Sequence, residues 1–172
     1  MSLQTNYWVL RQNYGSKTDQ LQMKNLIVNQ KCVTCPWGGW GPERQNVIDG
    51  IYNDKTIARL GAGGRLSKGQ DRRFVNEMNI GDIILIPFSK QNGCIVARIT
   101  SNVEYSIDTG LCWTENNHHI TLSETGDLPF RPVGRRIEII KDNFIPTRPI
   151  PNRMSLSKMN HIDLQAIMNT SV

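Results

Sequence analysis

The segment from Ile80 to Ile99, IGDIILIPFSKQNGCIVARI, decides the fold of this chain. Ile83–Phe88 is continuously apolar, which is typical of a strand that is buried on both faces. Lys90–Gly93 has the composition of a hairpin turn, and Cys94–Thr100 is the strand that returns from it. We therefore predict that these two apolar runs form adjacent antiparallel strands.

The flanking sequence adds further strands and two helices to this hairpin. Short aromatic and β-branched runs predict strands, and Gly and Pro clusters predict turns. We predict strands at Tyr7–Leu10, Lys31–Cys35 and Arg136–Ile140, a polar strand at Thr100–Asp108, helices at Lys17–Asn29 and Ser155–Met168, a loop with one short strand at Thr109–Pro132, and an irregular strap at Phe144–Pro151. Together they predict one α+β domain, residues 1–172, with a curved sheet or small barrel of five to seven mostly antiparallel strands and flanking helices.

The composition indicates a soluble globular protein. Hydrophobic residues make up 38% of the chain and charged residues 20%, which suits a packed domain rather than a disordered one. No stretch approaches the roughly 20 apolar residues of a membrane-spanning helix, and the polar N-terminus lacks a signal-peptide core. Four cysteines in this length do not indicate a disulfide scaffold. We predict a cytoplasmic protein with no membrane partner.

Three segments resemble the PUA-like superfamily, in particular EVE-type domains and the PUA-like modules associated with restriction endonucleases. Tyr7-Trp8-Val9-Leu10 is similar to the opening strand of EVE domains. The run from Phe74 to Ile86 resembles the family's helix, Gly-Asp turn and apolar strand, with Gly81-Asp82 as the turn. The run from Gly93 to Thr100, followed by Glu104-Tyr105, is similar to the next strand. The resemblance implies a module that binds DNA or RNA and reads a modified or flipped base in an aromatic-lined pocket.

The candidate base-binding residues are aromatic side chains in polar segments. Trp37 and Trp40 lie three residues apart in PWGGWGP, whose glycines and prolines forbid a regular element. A base stacked on such a ring gains about 1–3 kcal/mol. The alternative is that the rings plug the open end of the barrel. The predicted pocket comprises Trp37, Trp40, Trp113 and Tyr105, whereas Trp8 is predicted to be core.

The candidate phosphate-binding residues lie in one basic, glycine-rich window. Lysine and arginine side chains together with glycine backbone amides suit phosphate groups, and the formal net charge of +5 and pI of about 9.2 favour an anionic partner. The alternative is a solvated loop. The predicted set is Arg59, Arg65, Lys68, Arg72 and Arg73, with Arg131, Arg135 and Arg136 as a smaller second cluster.

The sequence contains no complete catalytic or metal-binding motif. Gly61–Lys68 lacks the spacing of a P-loop. Cys32 and Cys35 form one C-x-x-C without a matched second pair, so no metal or other cofactor is predicted. We predict a non-catalytic nucleic-acid-binding module. Two alternatives stay open, namely a barrel that binds a small molecule or a protein, and a nuclease or nucleotide-processing enzyme that uses Asp108, Glu115, His118 and His119.

Overall fold

The structure is a computed structural model, and it describes residues 4–11, 17–34, 73–88, 92–105, 113–116, 119–122, 133–146, 148–150 and 156–168. The helical elements are α1 (Lys17–Gln30), a π-helical turn (Arg73–Glu77) and α2 (His161–Met168). Neither α-helix in these ranges has the length and apolar content needed to cross a membrane. The strands are β1 (Tyr7–Leu10), β2 (Cys32–Thr34), β3 (Ile83–Pro87), β4 (Cys94–Ile99), β5 (Glu104–Tyr105), β6 (Trp113–Asn116), β7 (His119–Leu122), β8 (Val133–Phe144) and β9 (Leu156–Met159).

Seven of these strands form one curved sheet in the order β2–β8–β4–β3–β1–β9, and the short β5 also pairs with β8. The β1–β3 pair is parallel, and the other five pairs of the sheet are antiparallel. The predicted α+β fold with five to seven mostly antiparallel strands is confirmed. The predicted hairpin is also confirmed, because β3 and β4 are adjacent and antiparallel with Leu85 opposite Val96.

The strand directions distinguish the two ends of the sheet, which we call the carboxyl edge and the amino edge after the ends of β1 and β3 that lie there. At the carboxyl edge, β1, β3 and β8 end and β4 begins. At the amino edge, β1, β3 and β8 begin and β2, β4 and β9 end. Lys24 of α1 reaches the carboxyl edge, where its Nζ donates to the backbone oxygen of Asn92 and to Oδ1 of Asn143. This one side chain links the β3–β4 turn to the end of β8.

Both faces of the central strands are buried, in agreement with the continuous apolar run at Ile83–Phe88. Successive side chains of a strand point to opposite faces. On the first face, Trp8 and Ile84 pack with Ile27 of α1. On the second face, Val9 and Leu85 pack with residues that include Leu164 of α2. The confirmed core position of Trp8, which is 1% exposed, follows from this alternation.

The Gly81-Asp82 turn fixes β3 beside β1. Gly81 has a φ of +94°, a conformation that favours glycine. The buried Asp82 carboxylate accepts hydrogen bonds from the Trp8 indole Nε1 at 2.9 Å and from the Asn79 backbone N at 2.9 Å. It also accepts from the backbone N and side-chain Nδ2 of Asn6, at 3.0 and 3.3 Å. The predicted Gly81-Asp82 turn is present, and the Asp82 carboxylate also joins it to β1 through its hydrogen bonds with Asn6 and Trp8.

The prediction of one helix over Ser155–Met168 is wrong in its first part. Leu156–Met159 is strand β9, which pairs antiparallel with β1, and only His161–Met168 is helical. Leu156 and Met159 are three residues apart, a spacing that suits a helical face as well as a short edge strand. The hydrogen-bonding partner that decides between them is β1, about 150 residues earlier in the chain.

The prediction for Thr109–Pro132 is also corrected. The structure places two short strands there, β6 and β7, which pair as a separate two-stranded sheet with Glu115 opposite Ile120. Trp113 therefore begins a strand instead of lying in a loop. The two strands of this hairpin pair their backbone hydrogen-bonding groups with each other. This pairing does not require alternating apolar side chains, so the polar sequence gave no signal for it. Strand β7 lies against α1.

Candidate nucleic-acid interface

Most of the predicted site residues fall outside the described ranges. This applies to Trp37, Trp40, Arg59, Arg65, Lys68 and Arg72, and to the side chains of Trp113 and Tyr105. The backbone of Tyr105 ends β5, opposite Val133 of β8. Arg73 is half-buried and begins the π-helical turn, where its backbone oxygen accepts a hydrogen bond from the Met78 backbone N at 3.0 Å.

The two chain segments that carry these candidates, residues 35–72 and 106–132, start and finish at the same part of the sheet. Thr34 is opposite Gly134 at the amino edge, and Tyr105 is opposite Val133. The π-helical turn is held to this region by Arg135, whose guanidinium donates to the Phe74 and Val75 backbone oxygens, both at 3.0 Å. The first residues of β8 thus anchor the ends of both segments.

The prediction that Arg135 belongs with Arg131 and Arg136 to a second phosphate-binding cluster is wrong for Arg135. Its side chain is buried, lies with its Cζ 5.7 Å from the Phe74 ring centroid, and also donates to the Ser101 backbone oxygen at 3.2 Å. The Arg135 guanidinium donates hydrogen bonds to main-chain carbonyl oxygens inside the protein and does not face a phosphate. Arg136 is exposed and forms an ion pair with Glu104 at 2.9 Å.

A cleft of about 610 Å³ opens at the carboxyl edge, and we call it the arginine cleft. The Arg11 and Arg148 side chains lie on its walls with flat or apolar groups, namely Phe88, Pro149 and Ile150, and with the thiol of Cys94. The Arg11 Nη2 donates to the Ile150 backbone oxygen at 3.4 Å. Gly93 also lines the cleft, where it has a φ of +65° and a Cβ would stand 3.0 Å from the Phe144 backbone oxygen.

Burial controls the ionisation of the groups in this cleft. It lowers the pKa of the Arg11 guanidinium from its ordinary value, and the nearby Cys94 acts in the opposite direction. It raises the pKa of the Cys94 thiol to about 11, against smaller opposing effects of the Phe88 backbone N and of the Arg11 and Lys24 charges. At neutral pH the Cys94 thiol is therefore neutral. The other described cysteine, Cys32, is buried, with its thiol pKa raised to about 12 mainly by burial.

The residues that line the arginine cleft come from three stretches of chain that contain no acidic residue. Residues 1–18, 83–103 and 143–162 contain seven lysines and arginines and no aspartate or glutamate. The remaining residues contain 13 lysines and arginines against all 15 acids, a formal net charge of −2. The net charge of +5 therefore comes from these three stretches, which are far apart in sequence and meet in the fold.

Comparison of the sequence with models of protein families gives one match. The model, described as a domain of unknown function (DUF8426), matches residues 12–121, more than half of the chain. The chain belongs to this family. The DUF8426 match includes Phe88 and Cys94 of the arginine cleft, and it ends before Arg148. No curated protein matches the chain at a significant level.

Proposed function

We propose that this protein is a non-catalytic nucleic-acid-binding module, and that the arginine cleft receives one nucleotide of a DNA or RNA strand. The observation that carries the proposal is the cleft's pairing of arginine side chains with a flat apolar wall, on stretches of chain that contain no acid. Arginine guanidinium groups bind phosphate through several parallel hydrogen bonds. A base that is unstacked from its neighbours requires flat apolar surfaces against which it packs.

The tryptophan pocket belongs to the same proposal. Trp37 and Trp40 supply further stacking surfaces for a modified or flipped base, with Trp113 and Tyr105 as additional walls, and the basic window from Arg59 to Arg73 binds the flanking phosphates. The support for this part is the sequence and its PUA-like resemblance. The arginine cleft adds Arg11, Phe88 and Arg148 to the set.

Removing the charge of Arg148 or Arg11 weakens binding of a labelled single-stranded oligonucleotide, measured by fluorescence anisotropy at constant salt. We expect Arg148→Gln to cost about 0.5–1 kcal/mol, since this side chain is exposed. Arg11→Gln costs about 1.5–3 kcal/mol, the range of a hydrogen bond to a charged group, because Arg11 is half-buried. Arg11→Lys retains the charge and loses the planar fork, so its effect is intermediate.

Arg98→Gln is the matched control. Arg98 is an exposed arginine on β4 that pairs with Glu138 at 3.0 Å, and it does not line the arginine cleft. It removes the same charge as Arg148→Gln, so we expect unchanged affinity within about 0.3 kcal/mol if the cleft is the binding site. Equal losses in Arg98→Gln, Arg148→Gln and Arg11→Gln contradict the proposal, because they indicate binding by overall charge alone.

A further inference from the structure

The side chains that line the arginine cleft are mostly apolar, and part of this apolar surface is open to solvent. Ile145 is 67% exposed there, and Pro149 is also exposed. Contiguous apolar surface that stays uncovered is one mark of a ligand-binding groove. The apolar side chains among the described lining residues are those of Pro87, Phe88, Ile145, Pro146, Pro149 and Ile150. The cleft therefore favours a ligand that has apolar surface of its own.

The polar groups of the cleft donate hydrogen bonds and offer few acceptors. Arg11 and Arg148 have N–H donors only, and no described residue of the lining has a hydroxyl, amide or carboxylate side chain. The backbone oxygens of Gly93 and Ile150 already accept hydrogen bonds, from the Phe88 N at 3.1 Å and from the Arg11 Nη2 at 3.4 Å. The neutral thiol accepts only weakly. A ligand hydroxyl in this cleft therefore finds donors for its oxygen and no strong side-chain acceptor for its hydrogen.

DNA and RNA differ in the groups that would meet this lining. Ribose has a 2′-hydroxyl that both donates and accepts hydrogen bonds, and deoxyribose lacks it. Burying this hydroxyl without an acceptor weakens binding by roughly fivefold or more. DNA also has thymine where RNA has uracil, and contact of the additional methyl group with an apolar wall strengthens binding about threefold to fourfold. Both differences favour DNA.

We infer that the arginine cleft accepts a nucleotide of single-stranded DNA in preference to one of RNA, and thymine in preference to uracil. This inference rests on the proposed function of the cleft. The apolar wall that includes Ile145 contacts the deoxyribose and the base, while Arg11 and Arg148 bind the phosphate. Ile145 is thereby a specificity-determining residue.

The test compares labelled homopolymers of equal length that are built from deoxythymidine, deoxyuridine, ribothymidine or uridine, measured by fluorescence anisotropy on the full chain. This set separates the effect of the sugar from that of the methyl group. We expect each deoxy homopolymer to bind at least about fivefold more tightly than its ribo partner. We also expect each thymine homopolymer to bind about threefold to fourfold more tightly than its uracil partner.

Two outcomes separate this inference from the proposed function. Binding of the ribo homopolymers that is as tight as, or tighter than, that of the deoxy homopolymers overturns the preference for DNA and leaves the arginine cleft as a nucleotide site. Equal binding of thymine and uracil homopolymers likewise overturns the preference for thymine. Absence of binding by every homopolymer overturns both the inference and the proposed function.

Ile145→Ser tests whether the preference arises in this cleft. Serine removes apolar wall and supplies a hydroxyl that can accept from the 2′-hydroxyl, so we expect the ratio of deoxy to ribo affinity to fall at least about twofold. Ile140→Ser is the matched control, because Ile140 is 42% exposed on β8 and does not line the cleft. We expect it to keep the ratio. An unchanged ratio in Ile145→Ser overturns the assignment of the preference to the arginine cleft.

Discussion

Arg135→Met lowers the free energy of unfolding by about 3 kcal/mol or more, because each buried carbonyl that loses its donor costs about 1–3 kcal/mol. The guanidinium donates to three backbone oxygens, those of Phe74, Val75 and Ser101, and its side chain is only 2% exposed. Methionine fills a similar volume but leaves these buried carbonyls without their donor. Chemical denaturation followed by tryptophan fluorescence measures the loss.

Arg136→Met is the control at the neighbouring position. Arg136 is exposed and pairs with Glu104 at the surface, where ion pairs contribute about 0–1 kcal/mol. Both variants remove one positive charge from the same strand, so the difference between them isolates burial. Equal effects on stability would show that Arg135 does not hold the π-helical turn to β8 as described.

Asp82→Ala lowers the free energy of unfolding by about 3 kcal/mol or more. The carboxylate accepts hydrogen bonds from Asn6, Trp8 and Asn79, and each buried donor that loses its acceptor costs about 1–3 kcal/mol. Asp82→Asn retains one acceptor oxygen, so we expect a smaller loss. Thermal or chemical unfolding of the two variants measures which of them loses more stability.

Glu138→Gln is the matched control for Asp82. Glu138 is an exposed acid paired with Arg98, and its loss costs no more than about 1 kcal/mol. If Asp82→Ala is no more destabilising than Glu138→Gln, then Asp82 does not join β1 to β3, and the parallel pairing of these strands must have another cause.

The parts of the fold that the sequence predicted are those with local signals. The β3–β4 hairpin is encoded by two apolar runs on either side of a turn, and Gly81-Asp82 marks the start of β3. Strand β9 lacked such a signal, because Leu156–Met159 becomes a strand only through hydrogen bonds to β1. Long-range pairing of this kind decides structure where local spacing suits both a helix and a strand.

The candidate site was harder to predict because its residues are far apart in sequence. Arg11 and Arg148 are isolated arginines whose proximity requires β1 and the segment after β8 to meet at one edge. Conversely, Arg135 lies among other arginines in the sequence, which suggests a basic surface. In the fold its guanidinium is buried and donates to the backbone oxygens of Phe74 and Val75. A signal was present in the acid-free stretches 1–18, 83–103 and 143–162, which a search for local basic clusters does not detect.

The salt dependence of single-stranded nucleic-acid binding tests the central claim most directly. The binding constant is measured from about 50 to 200 mM salt for the natural sequence and for a variant with the charges of Arg65, Lys68, Arg72 and Arg73 removed. We predict measurable affinity at about 50 mM salt and a log–log slope of about −0.7 for each phosphate contacted, with a shallower slope for the variant. The absence of measurable binding at about 50 mM salt, where phosphate contacts are still strong, would contradict the assignment of this protein as a nucleic-acid-binding module.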